Sequence, residues 1–145
     1  MKVLIQRVTR ASVSVADDMV GQIDRGLLLL VGIEKRDDAK LITKMAAKVS
    51  AYRLFPDTDG KMNLNIKEVS GSILAVSQFT LAAETQKGLR PGFSVAASPE
   101  QAEPLFDQFV SDLQQNDIPV ATGRFGADMQ VELINDGPVT FMLQM

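Results

Sequence analysis

Two short segments hold most of the chemistry this chain can gather around a pocket. Ser77-Gln78-Phe79-Thr80 ends the apolar run that begins at Ser72, and it brings two hydroxyls, an amide and an aromatic ring to a strand terminus. Backbone N–H groups released from a ladder at such a point could hold an oxyanion. The second segment is Asn135-Asp136-Gly137-Pro138-Val139-Thr140. An X-Pro peptide is the kind that adopts cis, and a cis Gly137-Pro138 step would aim two consecutive carbonyls in nearly the same direction, as a clamp for a donor. Taken singly, each segment also reads as ordinary structure: a polar strand end with Phe79 in the core, and a turn.

Composition narrows the chemistry further. The 145 residues include no His and no Cys. That removes the commonest general base, every Ser-His-Asp or Cys-His arrangement, thiol nucleophiles, disulfides and zinc-thiolate sites. Catalysis must draw on hydroxyls, carboxylates, amines, backbone groups or the substrate itself. No cofactor is expected. The acidic turn Pro56-Asp57-Thr58-Asp59-Gly60 fails as a calcium loop, because Phe55 and Ile66 fall where ligands are needed. The net charge of −3 gives no global basic field to advertise nucleic-acid binding, which leaves local patches. The start of the chain turns polar too soon for a signal peptide, and the longest apolar stretch, Leu27 to Val31, is far too short to span a membrane. No membrane partner is expected, and the cytoplasm is the expected location.

The elements that must position these segments are mostly strands. Val3 to Val8, Ser12 to Val15, Leu27 to Ile33 and Ser72 to Phe79 are predicted strands, the third covered on both faces. Asp37-Asp38 opens a helix whose apolar face is Leu41, Ile42, Met45, Ala46 and Val49; Lys40, Lys44 and Lys48 form a solvated stripe. Ser98-Pro99-Glu100-Gln101 starts a second helix with an N-cap Ser and Gln at N3, burying Leu105, Phe106, Phe109, Val110 and Leu113. Lys87-Gly88-Leu89-Arg90-Pro91-Gly92 is an exposed loop. Three strands close the chain near Val120 to Phe125, Met129 to Ile134 and Val139 to Leu143, with a sharp turn at Gly137-Pro138 between the last two. The expected fold is α+β: a single strand-dominated domain over 1–145, with a barrel-like or two-sheet β core and two amphipathic helices.

Taken together, the two segments resemble the paired signature motifs of the D-aminoacyl-tRNA deacylases. The opening, Met1-Lys2-Val3 through Arg7-Val8-Thr9-Arg10-Ala11-Ser12-Val13, and the stretch Gly123-Arg124-Phe125-Gly126-Ala127-Asp128-Met129 are also similar to that family, so the resemblance runs the whole length. It implies hydrolysis of the ester between a D-amino acid and the 3′ acceptor end of tRNA by a homodimer. A cis Gly137-Pro138 would enter the partner's active site as the chiral selector. Ser77, Gln78, Phe79 and Thr80 would form the opposite wall, Arg7 would brace the incoming Gly-Pro segment, and Phe125 and Met129 would be pocket neighbours unless they are simply core.

The selector's physics can be stated. Carbonyls of Gly137 and Pro138 that accept from the substrate ammonium fix the α-carbon, so a D side chain points outward and an L side chain meets the wall. Glycine has no side chain to reject, so glycyl-tRNA should enter too. Two mechanisms stand open: Thr80 as nucleophile, or attack by water assisted by the terminal 2′-hydroxyl with the Phe79 and Thr80 amides holding the oxyanion. The second explains a site so poor in titratable groups. Lys87 and Arg90 are the candidate tRNA contacts, with Lys40, Lys44 and Lys48 weaker ones. The rival readings are a non-catalytic module that binds nucleic-acid ends, and a structural β-rich dimer in which Gly137-Pro138 is only a turn.

Overall fold

The computed structural model describes residues 1–145. Its frame is one long strand, β1 (Lys2–Val15), which runs through both predicted N-terminal strands without a break. On one edge β1 pairs antiparallel with β2 (Asp18–Ile23) through its C-terminal half and with β3 (Gly26–Gly32) through its N-terminal half. β6 (Ser72–Ser77) lies parallel to β3, and β7 (Val120–Thr122) lies parallel to β6. β4 (Phe55–Pro56) and β5 (Met62–Leu64) form a separate small hairpin. Its turn is the predicted one, with the Asp57 carboxylate accepting from the amides of Asp59 and Lys61.

The sheet curls until β2 packs against β7. A Cβ added to Gly21 would lie 2.6 Å from the Thr122 carbonyl oxygen, so only glycine allows that approach. The curl produces two apolar layers. Leu27, Leu29 and Val31 on one face of β3 pack with Ile42, Met45 and Val49 of α1 (Ala39–Ala51) and with Phe106, Phe109 and Leu113 of α2 (Pro99–Gln115). Leu28 on the opposite face joins Val8, Val13, Leu74 and Val76 inside the curl. β3 is thus covered on both faces, as its unbroken apolar run predicts. The architecture is α+β, strand-dominated and barrel-like, with two helices on one side.

The last strand departs from expectation. β8 (Gln130–Gln144) is one strand, not two joined by a turn, and both halves pair antiparallel with β1. Ser14 through Arg10 face Gln130 through Ile134, and Gln6 through Lys2 face Thr140 through Gln144. Between them the ladder shifts, and Asp136 to Val139 bulge opposite Arg7. Gly-Pro interrupts the ladder without reversing the chain, because a missing N–H and a positive φ can be absorbed by a bulge as well as by a turn. The helix starts differ in detail. Asp38 caps α1 by accepting from the Leu41 amide at 2.8 Å, as predicted, whereas the Ser98 side chain makes no cap bond. Gln101, expected to close that cap, instead donates to the Lys35 carbonyl at 3.0 Å.

Candidate active site

β6 delivers Ser77 to the floor of a cleft of about 510 Å³. The strand ends there because Gln78, whose amide donates to the Val31 carbonyl at 2.7 Å, leads into a single 3-10 turn over Phe79–Ala82. Opening a 3-10 turn, the amides of Phe79 and Thr80 have no intrahelical acceptor and remain available as donors. The Gln78 side-chain amide donates to the Thr80 hydroxyl. Phe79 is not a core residue. It is 59% exposed and packs tilted against Phe93 with ring centroids 5.1 Å apart.

The remaining cleft wall comes from α2 and from the segment between β7 and β8. Phe125 packs tilted against Phe106 at 6.2 Å, and both line the cleft together with Met129. Gly126 has φ +72, a conformation that favours glycine, and it turns Ala127 and Asp128 into the same wall. Asp128 is the cleft's only ionisable lining residue, and nothing in local sequence periodicity singles it out, since it comes from a loop. Ser77, Gln78, Phe79, Phe125 and Met129 are therefore brought together. Thr80 sits exposed at the rim, one residue beyond the lining.

Gly137-Pro138 is elsewhere. The peptide is cis, with Gly137 at φ +134. A Cβ there would stand 2.7 Å from Val139 Cγ2 and 3.2 Å from Arg7 Nη2, so the position needs glycine on two grounds. Buried Arg7 fixes the bulge from below. Its Nε donates to the Asp136 carbonyl and lies beside the Asp136 carboxylate, both at 3.2 Å, while Nη1 donates to the Leu54 carbonyl at 2.7 Å. The Asn135 side chain accepts from the Val139 amide at 2.9 Å and closes the bulge.

Within one chain the two segments do not meet. Ser77 pairs with Val31, Val31 with Val3, and Gly137 lies opposite Arg7 across β1. That is three strand spacings, about 14 Å, and four residues along β1, about 13 Å. Neither Gly137 nor Pro138 lines the cleft. Both are exposed on β8, whose other edge is unpaired and which also exposes Ile134, Phe141 and Met142.

Lys87 and Arg90 lie in an exposed loop closed by paired backbone hydrogen bonds between Glu84 and Gly92, at 2.7 and 3.0 Å. Lys40, Lys44 and Lys48 are exposed on α1. Beyond the loop, an isolated antiparallel bridge joins Glu34 to Ala96, with the Lys35 amide donating to the Val95 carbonyl at 2.9 Å and the Ala97 amide to the Ile33 carbonyl at 3.0 Å. Burial pushes the Glu34 carboxyl up, but hydrogen bonds and charge from the Met1 ammonium and from Lys2 outweigh it and hold Glu34 below its usual range.

Known proteins carry the same pattern. The family described as D-Tyr-tRNA(Tyr) deacylase matches residues 4–144. A D-aminoacyl-tRNA deacylase of Saccharophagus degradans is 60% identical over 145 residues, all of both chains, and one of Shewanella amazonensis is 59% identical over the same full length. A solved structure of the c-Myc DNA unwinding element binding protein is 40% identical, with a TM-score of 0.94 over 100% of this chain and 99% of that one.

Proposed function

The chain belongs to the D-Tyr-tRNA(Tyr) deacylase family and is a D-aminoacyl-tRNA deacylase, and on that premise we propose how it selects and cleaves its substrate. The ester between a D-amino acid and the tRNA 3′ end lies in the cleft beside Ser77 and Gln78. The Phe79 and Thr80 amides receive the oxyanion of the tetrahedral intermediate. Water attacks with help from the terminal 2′-hydroxyl, and the leaving 3′-oxygen takes up the proton. The Gly137 and Pro138 carbonyls of a second copy accept from the substrate ammonium and set its α-carbon so that an L side chain collides with the wall. Glycyl-tRNA, with nothing to collide, is also cleaved.

One observation carries this reading: the cis Gly137-Pro138 step sits in a bulge that Arg7 braces through Asp136, three strands away from the chain's own cleft. Carbonyls so placed can serve a cleft only if it belongs to another molecule. The unpaired edge of β8 and its exposed Ile134, Phe141 and Met142 supply a surface that a second copy would cover, forming a homodimer. The test is deacylation of D- and L-tyrosyl-tRNA by protein whose mass in solution has been measured. Rapid turnover of the D-ester alone by a dimer supports the proposal. Equal turnover of both esters, or full activity as a monomer, rejects it.

A further inference from the structure

The short ladder that closes one side of the cleft has a second face. Ile33 and Ala97 line the cleft, while Glu34, Lys35, Arg36, Ser94 and Val95 line a separate groove immediately beside it. Phe93, packed tilted against Phe79 at the cleft rim, directly precedes Ser94 in the groove wall. The two hollows therefore share a wall one ladder thick.

Charge in this groove is not balanced. The sequence Glu34-Lys35-Arg36-Asp37-Asp38 reads as neutralised, but its acids are engaged elsewhere. The Glu34 carboxylate is shared between the Met1 ammonium at 3.2 Å and Lys2 at 3.3 Å. Asp37 is buried against the same ammonium at 2.7 Å, and Asp38 caps α1. Glu84, on the opposite side, accepts from the Ser94 hydroxyl at 2.7 Å. Lys35 and Arg36 are exposed and form no ion pair. The Lys35 backbone is nonetheless fixed, because its amide donates to the Val95 carbonyl and its carbonyl accepts from the Gln101 side chain. Two unspent cations beside a hydrogen-bonded backbone suit a phosphodiester, since less backbone freedom is lost on contact.

We infer that this groove docks the phosphates of the unpaired tRNA 3′ strand that leads into the cleft. The inference rests on the deacylase reading and adds to it a binding track. Lys35 stands two residues from Ile33, in the turn that follows the cleft-lining residue. Its ammonium and the Arg36 guanidinium thus reach the nucleotides just before the terminal adenosine. The global charge of −3 is no obstacle, because Glu34 and Asp37 are already paired with the Met1 ammonium and Lys2.

The test pairs two substrates with one variant. D-tyrosyl-tRNA carries the phosphates, and 3′-O-D-tyrosyladenosine presents the same ester without them. In Lys35→Ala/Arg36→Ala, kcat/KM on D-tyrosyl-tRNA should fall about tenfold, and the log–log salt slope should become shallower by about 1.4, for two single-strand contacts. Turnover of D-tyrosyladenosine should be unchanged, and Lys35→Arg should restore part of the loss. An equal fall on both substrates would mean that the ladder only props the cleft, and no fall on either would mean that the strand runs elsewhere; each overturns the groove alone. Wild-type protein inert on both substrates would sink the deacylase reading and the groove's role with it.

Discussion

Arg7 stands directly beneath Gly137: a methyl group added to Gly137 would approach its Nη2 to 3.2 Å, and the guanidinium grips the adjacent Asp136 through both carbonyl and carboxylate. Arg7 thus anchors the bulge from below, while Asn135 closes it across its mouth. Arg7→Lys removes the fork that serves Leu54 and Asp136 at once, since one ammonium cannot reach both with the same geometry. The loss in stability should be about 1–3 kcal/mol by urea unfolding. If the bulge is the chiral selector, hydrolysis of L-tyrosyl-tRNA should rise relative to the D-ester. Gly137→Ala strains a φ of +134 and should have the same effect more strongly. A stability loss with unchanged chiral preference would reduce Gly137-Pro138 to a structural bulge.

Thr80 presents its hydroxyl at the cleft rim, with Gln78 donating to it and no carboxylate or Lys bonded to it. A hydroxyl without a base is a poor nucleophile. Thr80→Ala should keep D-tyrosyl-tRNA turnover within about tenfold of wild type, because the amide donors stay in place. A substrate ending in 2′-deoxyadenosine should be nearly inert. Complete loss in Thr80→Ala, with the fold intact by circular dichroism, would make the hydroxyl the nucleophile instead.

Where local periodicity decides, the chain could be read closely: Ile42, Met45, Ala46 and Val49 are the buried face of α1, and Leu27 to Val31 is the strand with two covered faces. The error at Gly137-Pro138 has a physical cause. Alternation with a period of two on either side of a Gly-Pro step is the same for a hairpin and for a bulged strand, and only the partner distinguishes them. Here one 14-residue strand, β1, is long enough to pair with both flanks. Of the cleft lining, Ser77 to Phe79 and the Phe125–Met129 flank were legible, whereas Gly137-Pro138 lies away from it within one chain. The excess positive charge at Lys35 and Arg36 was hidden because Glu34 and Asp37 beside them are neutralised by groups remote in sequence, the Met1 ammonium above all.

That ammonium also predicts a pH response. It is buried, donating to Asp37 at 2.7 Å and to the Met145 carbonyl at 3.0 Å. Asp37→Asn leaves the positive charge without its nearest counter-ion and should cost about 3 kcal/mol. Glu34 titrates below its usual 4.5 in the folded state. A carboxyl whose folded pKa is depressed contributes stability above its unfolded pKa, and loses it as pH falls through the folded value. Stability should thus be flat above about pH 5 and decline as pH falls below 4.5. Glu34→Gln should show a lower plateau and a shallower decline in urea unfolding at stepped pH. A parallel decline in both proteins would assign the acid sensitivity to other carboxyls.

Gly123 and Met129 supply a test of the cleft that is independent of the reacting groups. A Cβ on Gly123 would lie 2.6 Å from Met129 Sδ, with Val13 Cγ2 behind it at 3.6 Å. The close atom is the end of a flexible thioether, so Gly123→Ala should be relieved by rotation of Met129 rather than by movement of the sheet. Stability should change by about 1 kcal/mol or less. Because Met129 lines the cleft, its displaced sulfur and methyl must enter space the substrate uses. KM for D-tyrosyl-tRNA should rise several-fold with kcat little changed, since the oxyanion donors at Phe79 and Thr80 lie on a different wall. Pairing the change with Met129→Ala should restore KM, as the shortened side chain no longer competes for the space. If Gly123→Ala leaves KM untouched while Met129→Ala destabilises the fold, Met129 is packing and the ester lies elsewhere in the cleft.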